Sequence, residues 1–72
     1  MNDAQLYIKV GDKIKETRTL LGISQQELAD KCDFEKSNMS RIESGRCNLT
    51  LKTLFKISNA LEVKLKDLVD IE

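Results

Sequence analysis

Histidine, proline and tryptophan are absent from this 72-residue chain, which has two cysteines, three glycines, one tyrosine and two phenylalanines. Without histidine there is no imidazole to act as a general base or to complete a zinc site, and Cys32 and Cys47 have no further cysteine near them. No metal site is expected, and both thiols are expected to be reduced, with Cys32 in the core. The serines have no neighbouring base identifiable in the sequence, and no glycine-rich phosphate loop occurs. No catalytic residue, cofactor or small-molecule ligand is therefore expected. The missing prolines and scarce aromatics accompany ten leucines and six isoleucines. This composition disfavours a sheet of β-branched and aromatic strands.

Twelve cations balance twelve anions, with 40% of residues hydrophobic and 33% charged. The chain is too apolar for a disordered tail and too interrupted by charge to span a membrane. Met1 to Gln5 lacks the basic and apolar regions of a secretory signal, so a cytoplasmic protein is expected. A domain of this length buries roughly 60% of its unfolded surface, which argues against a deep cavity under a lid.

Helical spacing accounts for nearly the whole chain. Val10, Ile14 and Leu21, with Thr17 between them, predict an apolar stripe on a helix from about Ile8 to Leu21, ended by Gly22. Ser24-Gln25-Gln26-Glu27 has the form of a capping box and opens a second helix, with Leu28, Ala29 and Cys32 facing inward. Asp33 can take the left-handed conformation at its end, and the chain turns at Phe34. A third helix, about 36–44, turns Met39 and Ile42 inward and stops at Gly45. Thr50 is the expected N-cap of a fourth, in which Leu51, Leu54, Ile57, Ala60 and Leu61 recur at helical steps. Val63 breaks that pattern before a short fifth helix with Leu65, Leu68 and Val69. The expectation is one all-α domain over residues 1–72, a compact five-helix bundle.

The second and third helices, joined by a short turn with small Ala29 at their crossing, form a helix-turn-helix pattern. Periodicity alone leaves an ordinary helical hairpin open. The outward face of the third helix carries Lys36, Ser37, Asn38, Ser40 and Arg41, all able to hydrogen-bond, and suits base edges in a major groove.

On these residues the chain resembles the phage-repressor and Cro-like helix-turn-helix regulators, the Xre family, from about Gly11 to Leu68. The resemblance rests on Gly11-x-x-Ile14-x-x-x-Arg18, Gly22-Ile23-Ser24-Gln25-x-Glu27-Leu28-Ala29, Met39-Ser40-Arg41-Ile42-Glu43-x-Gly45 and Leu51-x-Thr53-Leu54-x-x-Ile57-x-x-Ala60-Leu61. It implies a lambda-repressor-like fold and a transcriptional regulator that binds a pseudo-palindromic operator on double-stranded DNA as a homodimer. The resemblance further implies base contacts from Lys36, Ser37 and Arg41, although Lys36 near the helix start could instead reach phosphate. Phosphate contacts are implied for Gln25, Asn38, Ser40, Ser44, Arg46 and Asn48. Arg18 and Glu43 match a partly buried structural ion pair. The dimer interface is expected at Leu65, Leu68, Val69 and Ile71, which exceed what a short terminal helix buries beneath itself; Leu6, Tyr7 and Ile8 could add to this patch or cover it, and the alternative is that all of these residues only close the core of a small domain.

Three positions depart from the family pattern: Asp33 stands where glycine is usual, Glu35 where serine or threonine caps the third helix, and Asn48 where proline is usual. Glu35 could repel phosphate, favour the helix dipole or accept from a cytosine amine. An alternative reading keeps the fold and makes the chain an antitoxin or adaptor whose main partner is a protein, with DNA binding as autoregulation.

Overall fold

Asn2 and Gln5 form a reciprocal cap, with the Gln5 amide donating to Asn2 Oδ1 at 2.9 Å and the Asn2 amide to Gln5 Oε1 at 3.0 Å. This cap starts helix α1 (Asp3–Leu20) well before the expected Ile8. The computed structural model describes residues Met1–Glu72, and α1 is followed by α2 (Gln25–Cys32), α3 (Lys36–Glu43), α4 (Leu51–Leu61) and α5 (Leu65–Val69). Ser24 and Thr50 cap α2 and α4 by accepting from the Glu27 and Thr53 amides. No helix is long and apolar enough to cross a membrane.

One device ends four of the five helices: a left-handed residue lets two successive amides turn back onto carbonyls of the last turn. Gly22 and Ile23 donate to Thr19 and Arg18, Asp33 and Phe34 to Asp30 and Ala29, Gly45 and Arg46 to Ile42 and Arg41, and Glu62 and Val63 to Asn59 and Ser58. The left-handed residues have φ of 73° at Gly22, 60° at Asp33, 74° at Gly45 and 57° at Glu62. Asp33 therefore does the work of the usual glycine. Glu62 does the same at the end of α4, where the sequence carries no turn residue to announce it.

α3 packs against α1 and α2, α4 lies on α2, and α5 closes the other end against α1 and α4. Val10, Ile14, Leu28, Ala29, Cys32, Met39, Ile42, Leu54, Ile57, Leu61 and Leu68 form the core. The stripe on α1 differs from its expected form at one end. Leu21 is the C-cap and stays 53% exposed, because the chain reverses at Gly22 before that side chain can turn inward. Its inward place is taken by Arg18. Leu68, expected at a dimer interface, is 0% exposed within this single chain and offers no surface to a second copy. The short α5 points it into the space between α1 and α4, where burying a leucine stabilises the fold by about 1.5–3 kcal/mol.

Gly11 lets α1 cross the end of α3 at close range. A Cβ there would stand 2.5 Å from the Ile42 carbonyl oxygen and 2.7 Å from that of Glu43, both backbone atoms. We expect Gly11→Ala to destabilise the protein by about 1–3 kcal/mol in urea denaturation, since overpacking outweighs the helix-propensity gain of about 1 kcal/mol. An unchanged midpoint would show that the two helices can part without cost.

Candidate nucleic-acid interface

Met39, Ile42 and Glu43 are buried, so they fix which side of α3 is left to solvent. On that side Lys36, Ser37, Asn38 and Arg41 are all exposed, while Ser40 is half-buried. The four exposed residues thus share a continuous polar surface beginning at the first turn of α3. Asn38 and Arg41 also border a shallow cleft with Asn48 and Thr53, floored by Phe34 and Ile42.

Behind this surface Arg18 and Glu43 form a two-point pair, Nε to Oε2 at 2.7 Å and Nη2 to Oε1 at 3.1 Å. Their side chains are 10% and 3% exposed. Arg18 Nη1 also donates to the Ile23 carbonyl at 2.9 Å, and Gln25 Nε2 donates to Glu43 Oε1 at 3.1 Å. One carboxylate thereby joins α1, the start of α2 and the end of α3. A buried anion is tolerable when its lone pairs are met by charged and neutral donors in this way. Gln25, read from the sequence as a phosphate ligand, gives one carboxamide hydrogen to Glu43 and keeps the other. Nothing local announced that bond, because its two residues are 18 positions apart.

The loop after α3 is braced from within. Ser44 Oγ donates to the Arg41 carbonyl at 3.1 Å and accepts from Arg46 Nε at 2.9 Å. Ser44 is thus occupied internally, whereas Arg46, whose Nη groups make no hydrogen bond, and Asn48 are exposed. Gly45 is required by its left-handed φ and by contact, since a Cβ there would lie 2.6 Å from Ile8 Cα. Lys56 sits over the Phe34 ring at 5.2 Å, linking α4 to the turn between α2 and α3. Of the residues expected at a dimer interface, Val69 is 44% exposed, Leu65 and Ile71 are half-buried, and Leu68 is in the core.

Two groups have displaced protonation equilibria. Hydrogen bonds from the Ser24 amide and hydroxyl hold the Glu27 carboxyl below the usual carboxylate range. Its contribution to stability is present above the ordinary carboxylate range and is lost as pH falls through the lowered folded value. Burial pushes the Cys32 thiol up, against a smaller opposite effect of Lys56. That thiol stays protonated and inert.

The helix-turn-helix family model HTH_3 matches residues 14–68. The chain belongs to this family. One relative, "Control protein C.BamHI" of Bacillus amyloliquefaciens, is 41% identical over 61 residues, covering 83% of this chain and 75% of the relative. "Control protein C.MunI" of a Mycoplasma species is 38% identical over 74 residues, covering 100% and 97%. Among solved structures, the restriction-modification controller protein C.AhdI of Aeromonas hydrophila superposes with a TM-score of 0.89 at 28% identity, covering 94% of this chain and 99% of that one. This helix-turn-helix protein is a DNA-binding transcriptional regulator and not an enzyme.

Removing Arg18 would leave Glu43 buried with Gln25 as its sole side-chain partner. Arg18→Ala is expected to cost about 3–5 kcal/mol of unfolding free energy, measured by chemical denaturation at neutral pH. A cost below about 1 kcal/mol would place the pair among those that add nothing measurable.

Proposed function

We propose that this protein is a controller-type regulator that acts in the cytoplasm, binding a pseudo-palindromic operator as a homodimer with α3 in the major groove. The observation that carries this reading is the exposed surface of α3, polar and free of large apolar groups, held from behind by the Arg18–Glu43 pair. Lys36 and Arg41 have the donors to pair with guanine O6 and N7, and Ser37 accommodates either donor or acceptor edges. Gln25, at the N-terminus of α2, and Arg46 and Asn48, in the loop, serve as phosphate ligands at the flanks, with Asn38 and Ser40 at the edge of the base-reading surface. Ser44 acts through the loop it braces. The controller relatives, matched along nearly their whole length, support the same assignment.

A two-fold operator needs a self-complementary patch on the protein. Val69 and Ile71 line an apolar cleft with Leu6, Tyr7 and Leu49, which supplies one where Leu68 does not. Val69 is its most exposed wall on α5, and Leu65 adds a half-buried flank.

Selection of bound sites from random DNA tests the reading as a whole, since a dimer returns two inverted half-sites about one helical turn apart. Arg41→Ala should relax one base position in each half-site and weaken specific binding by about 1–3 kcal/mol, and an unchanged motif would sink its base-reading role. Val69→Asp should move the protein from dimer to monomer in sedimentation and lower operator affinity in a mobility shift. A wild-type protein that sediments as a monomer while saturating its operator would overturn the dimer.

A further inference from the structure

Side chains hydrogen-bond the first turns of four helices, through Asn2 and Gln5 on α1, Ser24 and Glu27 on α2, Thr50 on α4 and Asp67 on α5. α3 differs. Its N-cap is Glu35, whose carboxylate makes no cap hydrogen bond and no ion pair, although Lys36 is adjacent in the chain. The backbone of Glu35 is nevertheless fixed, with φ −72°, ψ 148° and its carbonyl accepting from the Met39 amide at 3.1 Å. An exposed, uncommitted carboxylate is thus anchored at the end of α3 that carries Lys36 and Ser37.

The chemistry of DNA restricts what such a group can meet. Phosphates repel it, as do guanine O6 and N7 and thymine O4, all of which are acceptors. Adenine presents an N6 amine, but with the N7 acceptor beside it, which suits a carboxamide better than a carboxylate. Cytosine presents the N4 amine with no neighbouring acceptor on its own major-groove edge. Resting on the DNA-reading role proposed above, we propose that Glu35 is a specificity-determining residue that accepts a hydrogen bond from a cytosine N4 amine in each half-site. Lys36 and Glu35 then stand as a free donor and a free acceptor side by side, and together discriminate guanine and cytosine from adenine and thymine. Against guanine, thymine or phosphate the carboxylate meets only acceptors in the major groove, and there it opposes binding.

Site selection from random DNA is run on the wild type, Glu35→Gln and Glu35→Ala at one salt concentration, with thermal denaturation alongside. The wild type should select one cytosine per half-site. Glu35→Ala should accept any base there, and Glu35→Gln should turn the preference towards adenine, which a carboxamide can pair at N6 and N7. Affinity of either variant for the wild-type site should fall about tenfold, while binding to unrelated DNA rises. If both variants return the wild-type motif with only a small loss of thermal stability, Glu35 serves the helix dipole and the proposal is overturned. Equal gains in affinity for every sequence, the selected site included, would reduce its role to repulsion and overturn it as well. A wild-type protein that returns no motif would instead sink the DNA-reading role itself.

Discussion

The position of the exposed polar face of α3 depends on one buried carboxylate. Glu43 sits at the last turn of α3, and its partners come from α1, through Arg18, and from the first residue of α2, through Gln25. Arg18 in turn holds the Ile23 carbonyl in the turn between those helices. An aliphatic cluster of equal volume could supply as much stability, because desolvating two charges offsets most of their attraction. It could not supply the same directionality. A two-point guanidinium–carboxylate contact is satisfied over a narrow range of angles, so α3 is set in orientation about its axis as well as in position. The apolar residues Met39 and Ile42 then anchor the same face, leaving Lys36, Ser37, Asn38 and Arg41 outward.

The rest of the geometry follows from how the helices stop. Four left-handed turns, each closed by two amides folding back, reverse the chain within a few residues and keep the connections short. Short connections suit a chain of this size, for which a longer loop would add ordering entropy without adding core. Two of these turns use glycine and two use acidic residues, so the local strain at Asp33 and Glu62 is borne by the packing on either side. Asp33 lies in the turn between α2 and α3, directly before the helix proposed to face DNA. The Lys56–Phe34 contact across that turn holds it against α4.

Much of this was legible in the sequence wherever the signal is local. The Ser24–Glu27 box, the Thr50 cap and the Gly22 and Gly45 stops are read within a few residues, and the structure has each of them at the expected place. The early start of α1 was not legible, because Leu6 and Ile8 stay largely exposed and so add no periodic stripe to the Asn2–Gln5 cap. Leu21 and Leu68 show the limit of reading apolar identity as position: one was assigned to the core and lies outside, the other was open between a dimer seam and the core and lies at the centre. Both depend on where a turn ends rather than on the side chain itself. Gly11 sits in a recognisable motif, yet the reason for it, a backbone-to-backbone approach between α1 and α3, appears only in three dimensions. The outward polar face of α3 was legible because its inward residues alternate with it at helical spacing.

Zero net charge takes on meaning once charge is placed on this fold. From α3 through the first half of α4, Lys36, Arg41, Arg46, Lys52 and Lys56 are opposed by Glu43 alone, and Glu43 is already neutralised by Arg18. From Glu62 to the end, Glu62, Asp67, Asp70 and Glu72 outnumber Lys64 and Lys66. On the DNA-reading role proposed above, the first stretch would be drawn to a phosphate backbone and the second repelled, so electrostatics would orient the molecule more than bind it. The uncommitted Glu35, one residue before the cationic stretch, tempers its attraction by placing a negative charge beside Lys36. On the same proposed role, affinity for arbitrary DNA would thereby be held down, and base-edge contacts would supply the remainder. For a small regulator that must find a few sites among a great many, a low nonspecific background raises selectivity as effectively as a stronger specific contact does.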